Sequence, residues 1–294
     1  MSRRALGPLG WVLFFVSTCH AGVPAVSEAV VPFRLVNHFL IVVQVRIGDA
    51  GPYDFAVDTG ANVSIIDPKL AKELQIGHGE RVRLNTPTGP VKVEQSELPL
   101  VRLGHIAVKR LEVVIEPLRE MHNLDGQIRG VLGENFFEFF DYLLDYREKR
   151  FVIDFDHTRA DLLTGERLSL EKECAGSADA VPVTVDGADA IPRHMRLKLD
   201  SGAKTSAVFA DEEVKARAQT VGMAFAATTD FGTKQVTAIS SKKMRIGAKE
   251  FSSVPFLIVG ERKTCFDGLV PTSLLGEVYV SHSGEFVMVQ PGEL

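Results

Sequence analysis

Phe55-Ala56-Val57-Asp58-Thr59-Gly60-Ala61 is an apolar run that ends in Asp-Thr-Gly-Ala. Arg196-Leu197-Lys198-Leu199-Asp200-Ser201-Gly202-Ala203 ends in Asp-Ser-Gly-Ala. The two aspartates stand 142 residues apart, and other signposts keep that interval. Gly89 lies 31 residues after Asp58, and Gly232 lies 32 after Asp200. Gly104 and Gly247 follow at 46 and 47. Asp125-Gly126 and Asp267-Gly268 both begin at 67. Val131-Leu132-Gly133 ends at 75 and Leu274-Leu275-Gly276 at 76. Five signposts in one order, agreeing within a residue, read as two copies of one fold.

Working outward, the copies occupy 28–158 and 180–294. Thr164-Gly165-Glu166-Arg167 and Ala175-Gly176-Ser177-Ala178 are small and polar, so 159–179 reads as a linker. At the N-terminus, Arg3 and Arg4 precede an apolar stretch densest at Trp11-Val12-Leu13-Phe14-Phe15-Val16, then Ala21 and Gly22. That order reads as a signal peptide over 1–22, and predicts an exported protein, periplasmic or secreted. The stretch is too short and interrupted for a comfortable membrane span, so no stable insertion of the mature chain is expected. An uncleaved anchor or a lipid on Cys19 is the minor alternative. Cys174 and Cys265 then remain, either as one bridge or as two free thiols.

Composition narrows the class. The chain has 294 residues, with 33 Lys+Arg against 38 Asp+Glu, a net charge of −5. Hydrophobic residues at 45% are globular, which excludes fibrous and disordered classes. The mild acidity argues against nucleic acid as a partner. The histidines, including His38, His78, His105, His122, His157, His194 and His282, show no metal-ligand spacing. No metal is expected.

Local patterns are mostly β. Phe39 to Val45 is short and β-branched, and Val91 and Val93 alternate with polar residues after the turn Pro87-Thr88-Gly89-Pro90. Leu111 to Ile115 and Val254 to Val259 are further strands. Helices are short: Asp67 to Leu74, with an N-cap Asp and Pro at the first position, and its counterpart Asp211 to Arg217. Glu134 to Tyr142 is predicted as another. Phe136, Phe137, Phe139 and Phe140 are expected in the core.

The two Asp loops carry a chemical logic. An apolar strand fixes each carboxyl at the edge of a core. The adjacent Thr59 or Ser201 can lock the loop by hydrogen bonds. Gly60 and Gly202 permit close approach of backbone to a carboxylate. Two such loops face to face place two carboxyls in one site, where they share a proton. One can then deprotonate a water while the other protonates a carbonyl oxygen.

Asp58-Thr59-Gly60-Ala61 and Asp200-Ser201-Gly202-Ala203 resemble the active-site loops of aspartic peptidases. Gly130-Val131-Leu132-Gly133 looks like the apolar-apolar-Gly segment behind that loop, and Leu269 to Gly276 is its counterpart. Ala in the fourth loop position resembles the retropepsin-like branch. The resemblance implies a mainly β, bilobal fold of two related barrel-like lobes in one chain, with a cleft between them. It implies Asp58 and Asp200 as catalytic residues, supported by Thr59, Gly60, Ala61, Ser201, Gly202 and Ala203. It also implies an endopeptidase acting on peptide or protein substrates as a monomer, with no cofactor. The flap candidates are Thr88 and Gly89 in the first copy, and Phe231 and Gly232 in the second. Tyr53, Tyr142, Tyr146 and Tyr279 all lie outside them, unlike the flap Tyr of pepsin-type enzymes. Without a hydroxyl at Ala61 or Ala203 to hold the carboxyls down, the pH optimum is expected nearer neutral.

Two other readings stand beside this one. The fold could serve as a noncatalytic peptide-binding module. Alternatively, Asp200-Ser201-Gly202-Ala203-Lys204-Thr205-Ser206-Ala207 is similar to a stretch in retropepsin-like proteins associated with ATP-grasp ligases. Lys204 reads as a solvated loop charge. Ser281-His282-Ser283 lacks the Gly-x-Ser-x-Gly elbow of a serine hydrolase.

Overall fold

Phe55, Val57, Leu197 and Leu199 lie in the core with at most 1% exposure, so the strands leading to both aspartates are anchored in packed interior. The computed structural model describes residues 28–77, 79–86, 89–170, 180–229, 232–260 and 266–293. The signal stretch, Thr88, Phe231 and all three cysteines lie outside them. The fold is mainly β, as the sequence predicts.

Among the described residues, two large sheets run in step. One has eight strands, in the order Arg34–Val36, Leu40–Ile47, Ala50–Val57, Ile128–Leu132, Ser64–Ile66, Ile106–Ile115, Gly89–Leu103, Arg81–Thr86. The other has nine. It runs Met223–Thr229, Gly232–Ser240, Pro255–Gly260, Ser206–Ala210, Gly268–Pro271, His194–Asp200, Ala180–Asp186, Lys243–Ile246, Lys249–Ser252. In both, the strand before the Asp pairs in parallel with a later strand, Val57 opposite Leu132 and Leu199 opposite Val270. In both, that later strand pairs on its other side, antiparallel, with the strand after the Asp loop.

A six-stranded sheet draws on distant parts of the chain. Its order is Glu28–Pro32, Arg150–Asp154, Asp141–Asp145, Glu277–Ser281, Phe286–Val289, Leu168–Ser169. Tyr142, Leu143, Val278 and Tyr279 are fully or almost fully buried within it. Ser281 and Ser283 both donate hydroxyl hydrogen bonds to Asp141, at 2.8 and 2.6 Å. His282 sits 2.7 Å from the Phe140 carbonyl and 2.9 Å from Glu134. The Ser-His-Ser stretch thus ties the end of Glu277–Ser281 to the start of its neighbour Asp141–Asp145, at the centre of this sheet.

Three local expectations need correction. The predicted helix over 134–142 is only Glu134–Phe137, because Asp141–Asp145 is drawn into the six-stranded sheet. Phe136 and Phe137 are core, but Phe139 is 62% exposed, since the helix has ended before it. The segment expected as linker carries a 3-10 turn, Arg159–Leu162, and strands Leu163–Thr164 and Leu168–Ser169. Leu163, Leu168 and Leu170 are buried there, which gives those residues a packing role despite their polar neighbours. The two capped helices hold: Asp67 accepts from the Leu70 amide, and Asp211 from Val214.

The signposts divide. Gly89 and Gly232 open the second strands of equivalent hairpins, opposite Thr86 and Thr229. Gly104 and Gly247 turn at φ of 58° and 55°. The last two pairs are out of register. Phe55 faces Gly130, and Leu197, its equivalent, faces Gly268. The counterpart of Gly133 is therefore Pro271, whereas Gly276 ends the helix Thr272–Leu275.

Candidate active site

Each aspartate leaves its strand into a tight loop whose amides turn back on the carboxyl. Asp58 Oδ1 accepts from Gly60 N at 3.0 Å and Ala61 N at 3.1 Å. Asp200 Oδ1 accepts from Gly202 N and Ala203 N, both at 2.9 Å. The residues next to the aspartates cross-link the loops. Thr59 N donates to Ser201 Oγ at 3.0 Å, and Ser201 N to Thr59 Oγ1 at 3.1 Å. Thr59 Oγ1 donates to Leu199 O at 3.1 Å, and Ser201 Oγ to Val57 O at 2.9 Å. Both side chains are buried, so the lock excludes competing water.

This lock brings the two carboxyls face to face, where they hydrogen-bond each other. The glycines make room. A Cβ on Gly60 would lie 2.4 Å from the carboxyl carbon of Asp200, and one on Gly202 would lie 2.5 Å from that of Asp58. No other residue type fits without displacing the opposite carboxyl.

Burial pushes Asp58 above the usual carboxylate range, opposed by the Lys198 ammonium, the hydrogen bond with Asp200 and the loop amides. Burial also pushes Asp200 up, reinforced by the charge of Asp58 and opposed by Lys198. Two carboxyls this close cannot both ionise easily, so the pair shares one proton. The arrangement is one acid and one base, side by side and partly screened from water.

Lys198 is the site residue to which the sequence reading gave no role. It is 1% exposed, and its Nζ donates to Asn62 Oδ1 at 2.9 Å and Gly60 O at 3.3 Å. The signal was in the alternation. Leu197 and Leu199 point into the core, so Lys198 and Asp200 share the opposite face of the strand. Lys204, by contrast, is exposed. Of the flap candidates, Gly89 and Gly232 begin their strands; Thr88 and Phe231 are outside the described residues. Among the described residues no group of three or more His, Cys, Asp or Glu is placed to hold a metal ion.

Residues 43–136 match the family model for aspartyl protease. The matched segment runs from Val43 in the strand Leu40–Ile47, through the Asp58 loop, to Phe136 in the helix that follows Gly133. No curated protein matches the chain. The match supports a hydrolase of the aspartic-peptidase type.

Proposed function

We propose that this protein is an exported aspartic endopeptidase with two retropepsin-like lobes, 28–158 and 180–294, built around one dyad. The observation that carries the reading is the hydrogen-bonded pair Asp58 and Asp200, presented by two loops that lock each other. In this mechanism a water sits between the carboxyls and the scissile carbonyl. Asp58, ionised, takes a proton from the water. Asp200, protonated, gives its proton to the carbonyl oxygen as the tetrahedral intermediate forms. The proton then returns through the dyad as the C–N bond breaks and the amine leaves. The loop amides keep their hydrogen bonds to the outer oxygens, so the carboxyls need not reorganise between steps.

The peptidase match across 43–136 supports the reading for the first loop. The matching strand order around Asp200 supports it for the second. The test is cleavage profiling of a peptide library by the full chain and by Asp58→Asn and Asp200→Asn. Cleavage by the parent that either substitution abolishes is expected. Cleavage surviving both substitutions overturns the dyad. Peptide binding without cleavage at any pH replaces the reading by that of a binding module.

A further inference from the structure

Lys198 presents a problem of charge. An ammonium taken out of water costs several kcal/mol unless a negative charge and hydrogen bonds compensate it. The two acceptors given to its Nζ, Gly60 O and Asn62 Oδ1, are both neutral. Both belong to the loop of Asp58, whereas Lys198 stands on the strand that leads to Asp200. The side chain therefore starts two residues before one carboxyl and is anchored just beyond the other. Its charge acts on both Asp58 and Asp200.

We propose that Lys198 is a positioning residue of the dyad, a fixed internal cation that selects the singly protonated pair and so sets the pH window of the site. The inference rests on the peptidase reading, and adds a residue that does not touch the reacting atoms. Three protonation states of the pair are possible. With two protons, the ammonium is buried without a counter-charge. With none, two negative charges face one positive charge at short range. With one proton, the site is neutral as a whole, and that state is the one which holds an acid and a base together. Burial alone would favour two protons and an inactive pair. A neighbouring cation opposes this by stabilising the first ionisation, without adding a second proton donor to the reaction.

The other groups around the pair do not supply this charge. Tyr146 is kept neutral by burial, with its hydroxyl 2.7 Å from Thr272 Oγ1. Lys204, in the loop of Asp200, is exposed to solvent. The position equivalent to Lys198 in the other sheet, two residues before Asp58, is Ala56, fully buried and uncharged. Among the described residues, the charged groups that act most strongly on the two carboxyls are each other and Lys198.

The test reads the dyad proton directly. The full chain, carrying 13C at its aspartate carboxyls, is titrated by NMR from about pH 3 to pH 9, a range that brackets ordinary and raised carboxyls. Asp58→Asn and Asp200→Asn assign the two signals. In Lys198→Met, which keeps the length of the side chain and removes its charge, the lower step of the pair moves up by about one unit or more. In Asn62→Ala, an exposed position, the ammonium loses an anchor and the same step moves in the same direction by less. If Lys198→Met does not fold, Asn62→Ala decides. A lower step that superimposes on the parent in a folded variant overturns the role of Lys198. The titration requires no turnover, so a parent that cleaves no peptide would sink the peptidase reading and leave this test readable. Where cleavage is seen, the acidic limb of its pH profile shifts with the NMR step.

Discussion

Thr59 and Ser201 each donate a backbone amide to the other's hydroxyl, and each hydroxyl then donates to a carbonyl on the opposite strand. Four hydrogen bonds thus hold two loops that are 142 residues apart in sequence. Ser201→Ala leaves the Thr59 amide and the Val57 carbonyl buried without these partners, at about 1–3 kcal/mol for each group. The expected result is a melting temperature lower by about 4 °C or more, with activity lost in parallel. Ser201→Thr, which keeps the hydroxyl, retains most of both. An unchanged melt in Ser201→Ala would show that the lock contributes no stability.

Gly60→Ala tests the fit of the loops separately. The new methyl group meets the Asp200 carboxyl and forces the pair apart. A displacement near 1 Å in reacting groups costs about 100-fold in rate. We expect kcat to fall by at least that factor with little change in KM. Parental kcat in the Gly60→Ala variant would mean that the carboxyls are not packed as described.

The raised carboxyls also affect stability. The folded protein retains a proton that the unfolded chain gives up in the ordinary carboxylate range. Folding therefore gains from the protonated pair below about pH 4 and loses that gain as pH rises through the raised value. Asp200→Asn is neutral throughout and keeps both loop amides supplied with an acceptor. It should melt about 2 °C or more above the parent at pH 8, with the difference closing towards pH 4. Calorimetry across that range measures it; a gap that widens at low pH contradicts the direction of the shift.

Ser64 and Ser206 occupy equivalent positions six residues after each aspartate, with different surroundings. Ser64 Oγ accepts from Gly133 N at 3.0 Å and donates to Asn135 at 2.8 Å. Pro271 replaces Gly133 in the second sheet and has no N–H to give. Ser206 Oγ is buried and has no hydrogen-bond partner among the described residues. Ser64→Ala should therefore destabilise by about 1–3 kcal/mol, while Ser206→Ala is neutral or stabilising. Denaturant melts of the two variants distinguish them; equal losses would contradict this contrast.

How much of this was legible in sequence follows from range. The Asp loops, the hairpin glycines and the capped helices are local patterns, and each fell where the residues place it. The six-stranded sheet is not local. Its neighbours Asp141–Asp145 and Glu277–Ser281 are far apart in the chain, and pairing of that kind leaves no periodic mark. This is why Asp141 and Tyr142 read as the end of a helix. The slipped signposts have another cause. Gly130 lies five positions after Asp125, but Gly268 directly follows Asp267. Counting from the aspartates alone matched the wrong glycines. Lys198 was visible in a period-two pattern, but a lysine beside a loop reads as solvated until its burial is known.

Ala56 and Lys198 hold the same place in the two sheets, as do Gly133 and Pro271. A site assembled from two identical chains has no such freedom, because symmetry repeats every substitution on both sides. It would carry two buried lysines or none. Encoding both loops in one polypeptide removes that restriction and lets the site be handed. One carboxyl can be specialised as acid and the other as base before any substrate arrives to break the tie.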